Sequence, residues 1–379
     1  MKILLIGVSV RAIAESAVNS NYAVVALDGF GDRDLRAITE THGLQRDFHL
    51  PYQARALFDA SRHLDFDAVA YTSNLENHPE VLDQFGANHP LIGNVPETVR
   101  SVRCWPDLFS RLEQGGFPIP KTVFDHAGKV DFRIQWIVKP VLGGGGHGIH
   151  FWDGCEIAKK RLMLQQYIPG KACSAAFVAN GLEAVPIGIS EQLLGLKQFG
   201  VEGFRYCGSL LPLPEIIDRE TGRVVLEQVR RIAAFLTLEF GLTGINGFDF
   251  ILDGERVVLV EVNPRYSASM ELVERCYGLP VFRLHMEAAV EGRLPEFKLE
   301  SQIEKGQFFG KAVLFCEQDC VAPEIFDDPG SGLKDIPMPG ERLHEGSPIC
   351  TLLTSKPTYG EIFDDLNRRA GTLKKQIYG

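Results

Sequence analysis

Apolar and polar positions fall into blocks along the chain, and the period changes from block to block. Ile3 to Ile6 is a short unbroken apolar run, and Tyr22 to Leu27 and Ala68 to Tyr71 are two more. Stretches with helical spacing, such as Ala12 to Val18, lie between them. Unbroken apolar strands separated by helical segments predict a parallel sheet covered on both faces. The pattern shifts at Asn94-Val95-Pro96-Glu97. Pro96 is placed to open a helix, Val99 to Leu112 repeats at helical spacing, and Gly115-Gly116-Phe117-Pro118-Ile119-Pro120 ends it. Ile245 to Leu252 and Val257 to Val262 then read as strands joined at Asp253-Gly254-Glu255, an Asp-Gly hairpin turn. After Ser301, Gly306 to Phe315 predicts another strand, and Asp335-Ile336-Pro337 with Pro339-Gly340 a turn-rich tail. The expected organisation is mixed α/β and α+β: a β/α unit over 1–94, a central unit over 95–305, and a small β-rich segment over 306–379 packed on the centre.

Bulk properties narrow the function. The chain has 379 residues, 45% hydrophobic and 23% charged, which supports two or three packed units and argues against disorder. A net charge of −10 argues against non-specific nucleic-acid binding, which needs a basic face. It leaves phosphate binding open, because backbone N–H groups can hold an anion in an acidic protein. The cysteines are scattered without a Cys-x-x-Cys pair. Cys316 and Cys320 come nearest, with no His or Cys cluster beside them, so a reduced cytoplasmic protein is expected and a zinc site is not. No signal-peptide pattern opens the chain, and no apolar run approaches bilayer-spanning length. The loop at Gly7-Val8-Ser9-Val10-Arg11 lacks the later glycines of a dinucleotide fingerprint, which disfavours NAD.

Three runs carry candidate chemistry. In Ile137-Val138-Lys139-Pro140-Val141-Leu142 a strand delivers Lys139, and a loop with Gly143, Gly144, Gly145, Gly146 and Gly148 follows. Such a loop can bring backbone N–H groups against a polyphosphate, and Lys139 adds a mobile positive charge. A plain flexible connector fits the same residues. It is not a P-loop, because no Gly-Lys-Ser or Gly-Lys-Thr closes it. In Leu162-Met163-Leu164-Gln165-Gln166-Tyr167-Ile168 an apolar strand runs into a polar turn, a hinge that can border adenine or simply be a buried strand.

The third run is the most specific. Asp249 lies on the first strand of the predicted hairpin, and Glu261 and Asn263 lie two apart on the second, hence on one face. Two carboxylates and an amide oxygen on one side of a sheet suit magnesium bridging nucleotide phosphates. A solvated face with two unrelated acids is the alternative. Arg265 follows the rigid Pro264 and could stabilise a phosphorylated carboxylate or make a structural ion pair. Two further segments could select the substrate or be plain loops. Arg205 and Tyr206 lie in one and Ser267 in the other, just after Arg265. Glu191 has no assigned role, and His147 is read as incidental to the glycine loop.

Together these runs resemble an ATP-grasp enzyme from about Asn94 to Lys305, and the N-terminal unit resembles the pre-ATP-grasp domain that precedes that fold. The resemblance implies an ATP-dependent ligase that activates a carboxylate as an acyl phosphate for capture by an amine. It implies ATP and magnesium, with manganese as a substitute, as cofactors. Lys139 and the loop Gly143 to Gly148 would contact phosphates, and Gln165, Gln166, Tyr167 and Ile168 would border adenine. Asp249, Glu261 and Asn263 would hold metal, and Arg265 would orient the acyl phosphate. The chain departs from the family twice. Arg103 stands where an early lysine is usual, and Gln165-Gln166 stand where the hinge often has a glutamate.

Glu261-Val262-Asn263-Pro264-Arg265 and the segment with Asp335-Ile336-Pro337 are further similar to a subgroup related to biotin carboxylase. That likeness implies joining glutamate to tyrosine or a tyramine-like amine in methanofuran-type cofactor synthesis. The implied partners are small-molecule carboxylates and amines, with no nucleic acid, no membrane and a homodimer as the assembly to test. A carboxylase using carboxyphosphate and a catalytically silent nucleotide-binding protein are the rival readings.

Overall fold

The computed structural model of the protein describes residues 1–124, 130–155, 161–216, 219–303, 307–324 and 332–379. The N-terminal apolar runs form a five-stranded sheet from β1 (Lys2–Ile6), β2 (Ala23–Asp28), β3 (Glu40–Gly43), β4 (Ala68–Tyr71) and β5 (Leu91–Ile92). The order is β3-β2-β1-β4-β5, and every pairing is parallel. Helices Arg11–Asn19, Ala54–Ser61 and Pro79–Gly86 lie between the strands in sequence. Residues on successive positions of β1 enter different cores, Ile3 and Leu5 one and Leu4 and Ile6 the other. That two-sided burial explains why its sequence is unbroken apolar. The strand order reverses between β1 and β4, so the crevice at their carboxyl ends is where an α/β sheet receives a ligand.

The helical pattern over Val99 to Leu112 resolves into two helices, Pro96–Arg103 and Trp105–Gln114, broken at Cys104. Pro106 explains the break, since proline opens a helix but cannot continue one. A small antiparallel sheet follows, ordered β6-β9-β7-β8, from β6 (Thr122–Val123), β7 (Trp136–Pro140), β8 (His150–Phe151) and β9 (Leu162–Gln166).

The large sheet has eight strands. It includes β10 (Lys171–Asn180), β11 (Ala184–Leu194), β12 (Tyr206–Leu211), β13 (Thr243–Asp253) and β14 (Arg256–Asn263). The C-terminal segment adds β15 (Phe308–Phe315), β17 (Leu333–Lys334) and β19 (Pro348–Lys356), giving the order β14-β13-β10-β11-β12-β15-β19-β17. Two short strands, β16 (Cys320–Val321) and β18 (Arg342–Leu343), pair apart from it. The residues of the expected β-rich segment continue the central sheet through β12 and β15. The boundary drawn between Lys305 and Gly306 falls outside the described residues.

One long helix, Tyr359–Tyr378, was absent from the elements predicted above. It buries Ile362, Leu366, Ala370 and Leu373 at helical spacing and opens with a capping box between Thr358 and Glu361. Its start signal was readable at Thr358-Tyr359-Gly360-Glu361. Among the described residues no helix is long and apolar enough to cross a membrane. Cys316 and Cys320 place their sulfurs 3.6 Å apart as free thiols.

Candidate active site

The hairpin forms as its sequence predicts. β13 and β14 are antiparallel, Asp253 and Arg256 close the turn, and Gly254 takes the positive φ of 61° that the turn needs. Asp249 pairs directly with Glu261 and Gly247 with Asn263, so the three candidate ligands share a face. Between Asp249 and Phe250 the register slips by one residue. Phe250 then faces Leu259, and Val260 is the extra residue of a bulge. The bulge releases the Val260 carbonyl from the ladder, and Lys139 Nζ donates to it at 3.4 Å.

Glu261 is the centre of the site. Lys139 Nζ donates to Oε2 at 2.9 Å, and Arg103 Nη1 donates to Oε1 at 2.9 Å. Trp105 backs both cations, with its ring 4.6 Å from Lys139 Nζ and 5.0 Å from the Arg103 guanidinium. Burial would raise the Glu261 carboxyl, but Lys139 and Arg103 outweigh it and pull the value down to about 2. Asp249 moves the other way. Burial and the charge of Glu261 raise it, against hydrogen bonds from Ser174 and Asn263 and the charge of Arg265. Two carboxylates that repel each other in a dry site fit a divalent cation, whose charge would relieve both.

Arg265 lies beside them. Its Nη2 donates to Asn263 Oδ1 at 3.1 Å and to Glu76 Oε1 at 2.7 Å, while Asn263 Nδ2 donates to Asp249 Oδ2 at 3.1 Å. Glu76 and Asn77 were not among the predicted site residues. They follow β4, at the strand-order reversal of the N-terminal sheet. Asn77 Oδ1 accepts from Arg103 Nη2 at 2.6 Å, and its Nδ2 donates to the Gly143 carbonyl at 3.3 Å. The N-terminal unit therefore touches the glycine loop, Arg103 and Arg265 at once. The polar turn after β4 was the readable signal; its placement opposite Arg265 depends on packing between units.

The glycine loop docks on the segment before β12. Gly145 O accepts from Tyr206 N at 3.0 Å, and a Cβ on Gly146 would run into the Phe204 carbonyl. Phe151, Tyr167 and Phe204 form an aromatic cluster beside it, with centroids 5.1, 5.3 and 6.3 Å apart. At the hinge, the N–H groups of Gln166 and Tyr167 already donate to Lys121 O and Gln135 O, both at 2.8 Å. An adenine edge must therefore use the carbonyls there or the N–H of Ile168. Gln165 is buried, with its amide 3.5 Å from the Thr122 hydroxyl.

Arg205 has its guanidinium 4.9 Å from the Phe315 ring and Nη2 donating to Gly346 O at 2.9 Å. Tyr206 bonds the Ser209 hydroxyl at 2.9 Å, and the charges of Asp249 and Glu271 add to burial in raising it. Ser267 is buried and pairs with the Ser269 hydroxyl at 3.4 Å. Glu191 takes part in another cluster, 3.1 Å from Lys171 Nζ and 2.7 Å from the Tyr359 hydroxyl.

A family profile described as an ATP-grasp domain matches residues 107–269, the span that holds Lys139, the glycine loop, the hinge and the acidic hairpin. Residues 107–269 carry an ATP-grasp domain. The chain is similar to an uncharacterized protein of Methanocaldococcus jannaschii, 23% identical across 94% of this chain and 88% of that one. It is also similar to the carbamoyl phosphate synthase large chain of Rubrobacter xylanophilus, 24% identical over 68% of this chain and only 27% of that one. Among solved structures, the biotin carboxylase domain of Hydrogenobacter thermophilus 2-oxoglutarate carboxylase superposes with a TM-score of 0.73 at 14% identity, covering 96% of this chain and 88% of that one. It was solved with MgADP and bicarbonate. Biotin carboxylase from Campylobacter jejuni gives a TM-score of 0.68 at 13% identity, covering 96% of this chain and 89% of that one. These likenesses fix the ATP-grasp fold, with its parallel N-terminal sheet and antiparallel central sheet.

Proposed function

We propose that this ATP-grasp protein is an ATP-dependent carboxylate–amine ligase. It forms an amide through an acyl phosphate and releases ADP and phosphate. The observation that carries the reading is the single cluster of Asp249, Glu261 and Asn263 with Lys139, Arg103 and Arg265 beneath a glycine loop.

Asp249, Glu261 and Asn263 would hold a magnesium ion, which supplies charge neutralisation at the nucleotide phosphates. Lys139 leaves Glu261 for the transferring phosphoryl group as charge develops there. Arg103 stays on Glu261 and Asn77 and keeps that carboxylate in place. Arg265 holds the acid so that its carboxylate oxygen faces the phosphoryl group and then steadies the acyl phosphate. The loop from Gly143 to Gly148, docked on Phe204 and Tyr206, excludes water that would hydrolyse the intermediate. No side-chain nucleophile is required.

For the substrates, the likeness to the biotin-carboxylase-related subgroup supports glutamate as the acid and tyrosine or a tyramine-like amine as the acceptor. A homodimer is the proposed assembly. The test is incubation with ATP, magnesium and glutamate against a panel of amines, read by ADP release and product mass. ADP formation that requires bicarbonate and no amine would instead favour a carboxylase, the reading suggested by the biotin carboxylase neighbours. Tight ATP binding with no product from any pair would favour a silent nucleotide-binding protein.

A further inference from the structure

Glu76 makes an incomplete set of contacts for a buried carboxylate. Its side chain is 2% exposed. Oε1 accepts from Arg265 Nη2, but Oε2 is shielded from solvent and has no hydrogen-bond partner. A buried carboxylate oxygen without a donor is costly, by about 1–3 kcal/mol or more. Arg265 Nε also lacks a partner, so the pair is held by one hydrogen bond and not as a two-pronged fork. Around Glu76 the aromatic hydroxyls are engaged elsewhere, Tyr71 on Asn94 O and Tyr52 on Asn74 Oδ1. Oε2 is therefore an open acceptor for a cation or a strong donor, beside the guanidinium proposed to hold the acyl phosphate.

We propose that Glu76 Oε2 receives the ammonium group of the incoming amine and takes its proton. This rests on the ligase reading and deepens it, because it names the group that would receive the amine. The amine enters as R–NH3⁺ and passes one proton to Glu76 Oε2, leaving a lone pair on nitrogen. The nitrogen attacks the acyl carbon and the C–N bond forms. When the C–O bond to phosphate breaks, the departing phosphate takes the second proton and leaves as HPO4²⁻. Glu76 then returns its proton to water. Atoms and charge balance with no further reactant. Oε1 remains on Arg265 throughout, so a single carboxylate from the N-terminal unit positions the acyl phosphate and deprotonates its attacker.

The test compares two nucleophiles on Glu76→Gln, which keeps the shape and the acceptor for Arg265. Wild type and variant receive MgATP and glutamate with either hydroxylamine, which is uncharged near neutral pH, or tyramine, which is protonated. Both reactions lose whatever the weakened Arg265 pair costs, and with tyramine the variant should lose about 100-fold more than with hydroxylamine, the usual contribution of a positioned base. Raising the pH should restore tyramine turnover about tenfold for each pH unit, as free amine replaces ammonium. A merely structural role would depress both nucleophiles together and give no rescue, and either that result or full tyramine activity overturns the proposal. Hydroxamate formation also reports that the variant is folded. If wild type makes neither product, the ligase reading falls first; if wild type makes both and the variant does too, only the role of Glu76 falls.

Discussion

Replacing Glu261 by Gln probes the charge arrangement on which the site is built. Burial favours the protonated form, yet Lys139 and Arg103 bring the carboxyl from 4.5 down to about 2. A tenfold change in proton affinity is worth about 1.4 kcal/mol. The carboxylate therefore contributes about 3 kcal/mol to folding stability at neutral pH. Its side chain is 16% exposed, so solvent screening removes little of that. Because the folded value is depressed, the unfolded chain binds the proton first as pH falls. The contribution is complete above pH 4.5 and is lost progressively toward pH 2. Urea denaturation near pH 7 should find Glu261→Gln less stable by about 3 kcal/mol. The gap should narrow by about 1 kcal/mol between roughly pH 4.5 and 3.5. Asp249 trims the loss, since neutralising its neighbour removes one cause of its raised value. A variant as stable as wild type near neutrality, or a gap indifferent to pH, would refute this account of the site.

Four other outcomes are expected. Asp249→Asn should abolish the rise in melting temperature that MgATP gives wild type, because stabilisation by a ligand requires its site; an unchanged thermal shift would count against the metal role. Lys139→Met should slow ADP release at least about 100-fold while nucleotide still binds, checked by turnover and by titration of a non-hydrolysable analogue. Gly146→Ala combines a positive φ of 74° with a clash at the Phe204 carbonyl, so the loop should undock and become faster to cleave in limited proteolysis. His285 is buried and held neutral, with its value pushed down to about 4 by burial, and it accepts from Ile245 N at 2.9 Å. The unfolded chain therefore protonates this histidine first, and wild type should lose about 3 kcal/mol between roughly pH 6.5 and 4, a slope that His285→Gln should flatten.

The parts of the site that read well from sequence are those within one hairpin or one strand-loop unit. Period-two spacing alone places Glu261 and Asn263 on one face, and the Asp-Gly turn brings Asp249 opposite. Lys139 reaches them because β7 delivers it at a strand end. What stayed hidden depends on contacts between distant segments. Glu76 and Asn77 look like ordinary polar residues after a strand until the N-terminal unit packs against Arg103 and Arg265. Phe315 and Gly346, far away in sequence, pack against the Arg205 guanidinium, contacts that no local pattern shows. Arg103 was inferred only from its place in the family pattern, yet it shares Glu261 with Lys139 as a second buried cation. The closing helix is marked locally only by its capping box at Thr358 and Glu361 and its spaced apolar residues, after a turn-rich stretch around Pro337 and Pro339.

The continuity of the large sheet has a practical consequence for dissecting the molecule. β12 is hydrogen-bonded on both sides, to β11 and to β15. A fragment trimmed to the family match, or stopped before Phe308, would turn β12 into a raw sheet margin with unpaired amides and the apolar residues Leu210 and Leu211 beside it. Such margins recruit strands from other molecules. Truncated forms should therefore precipitate or self-associate on expression, and biochemical work needs the strand contributed by the last seventy or so residues even where they contribute no ligand to the nucleotide.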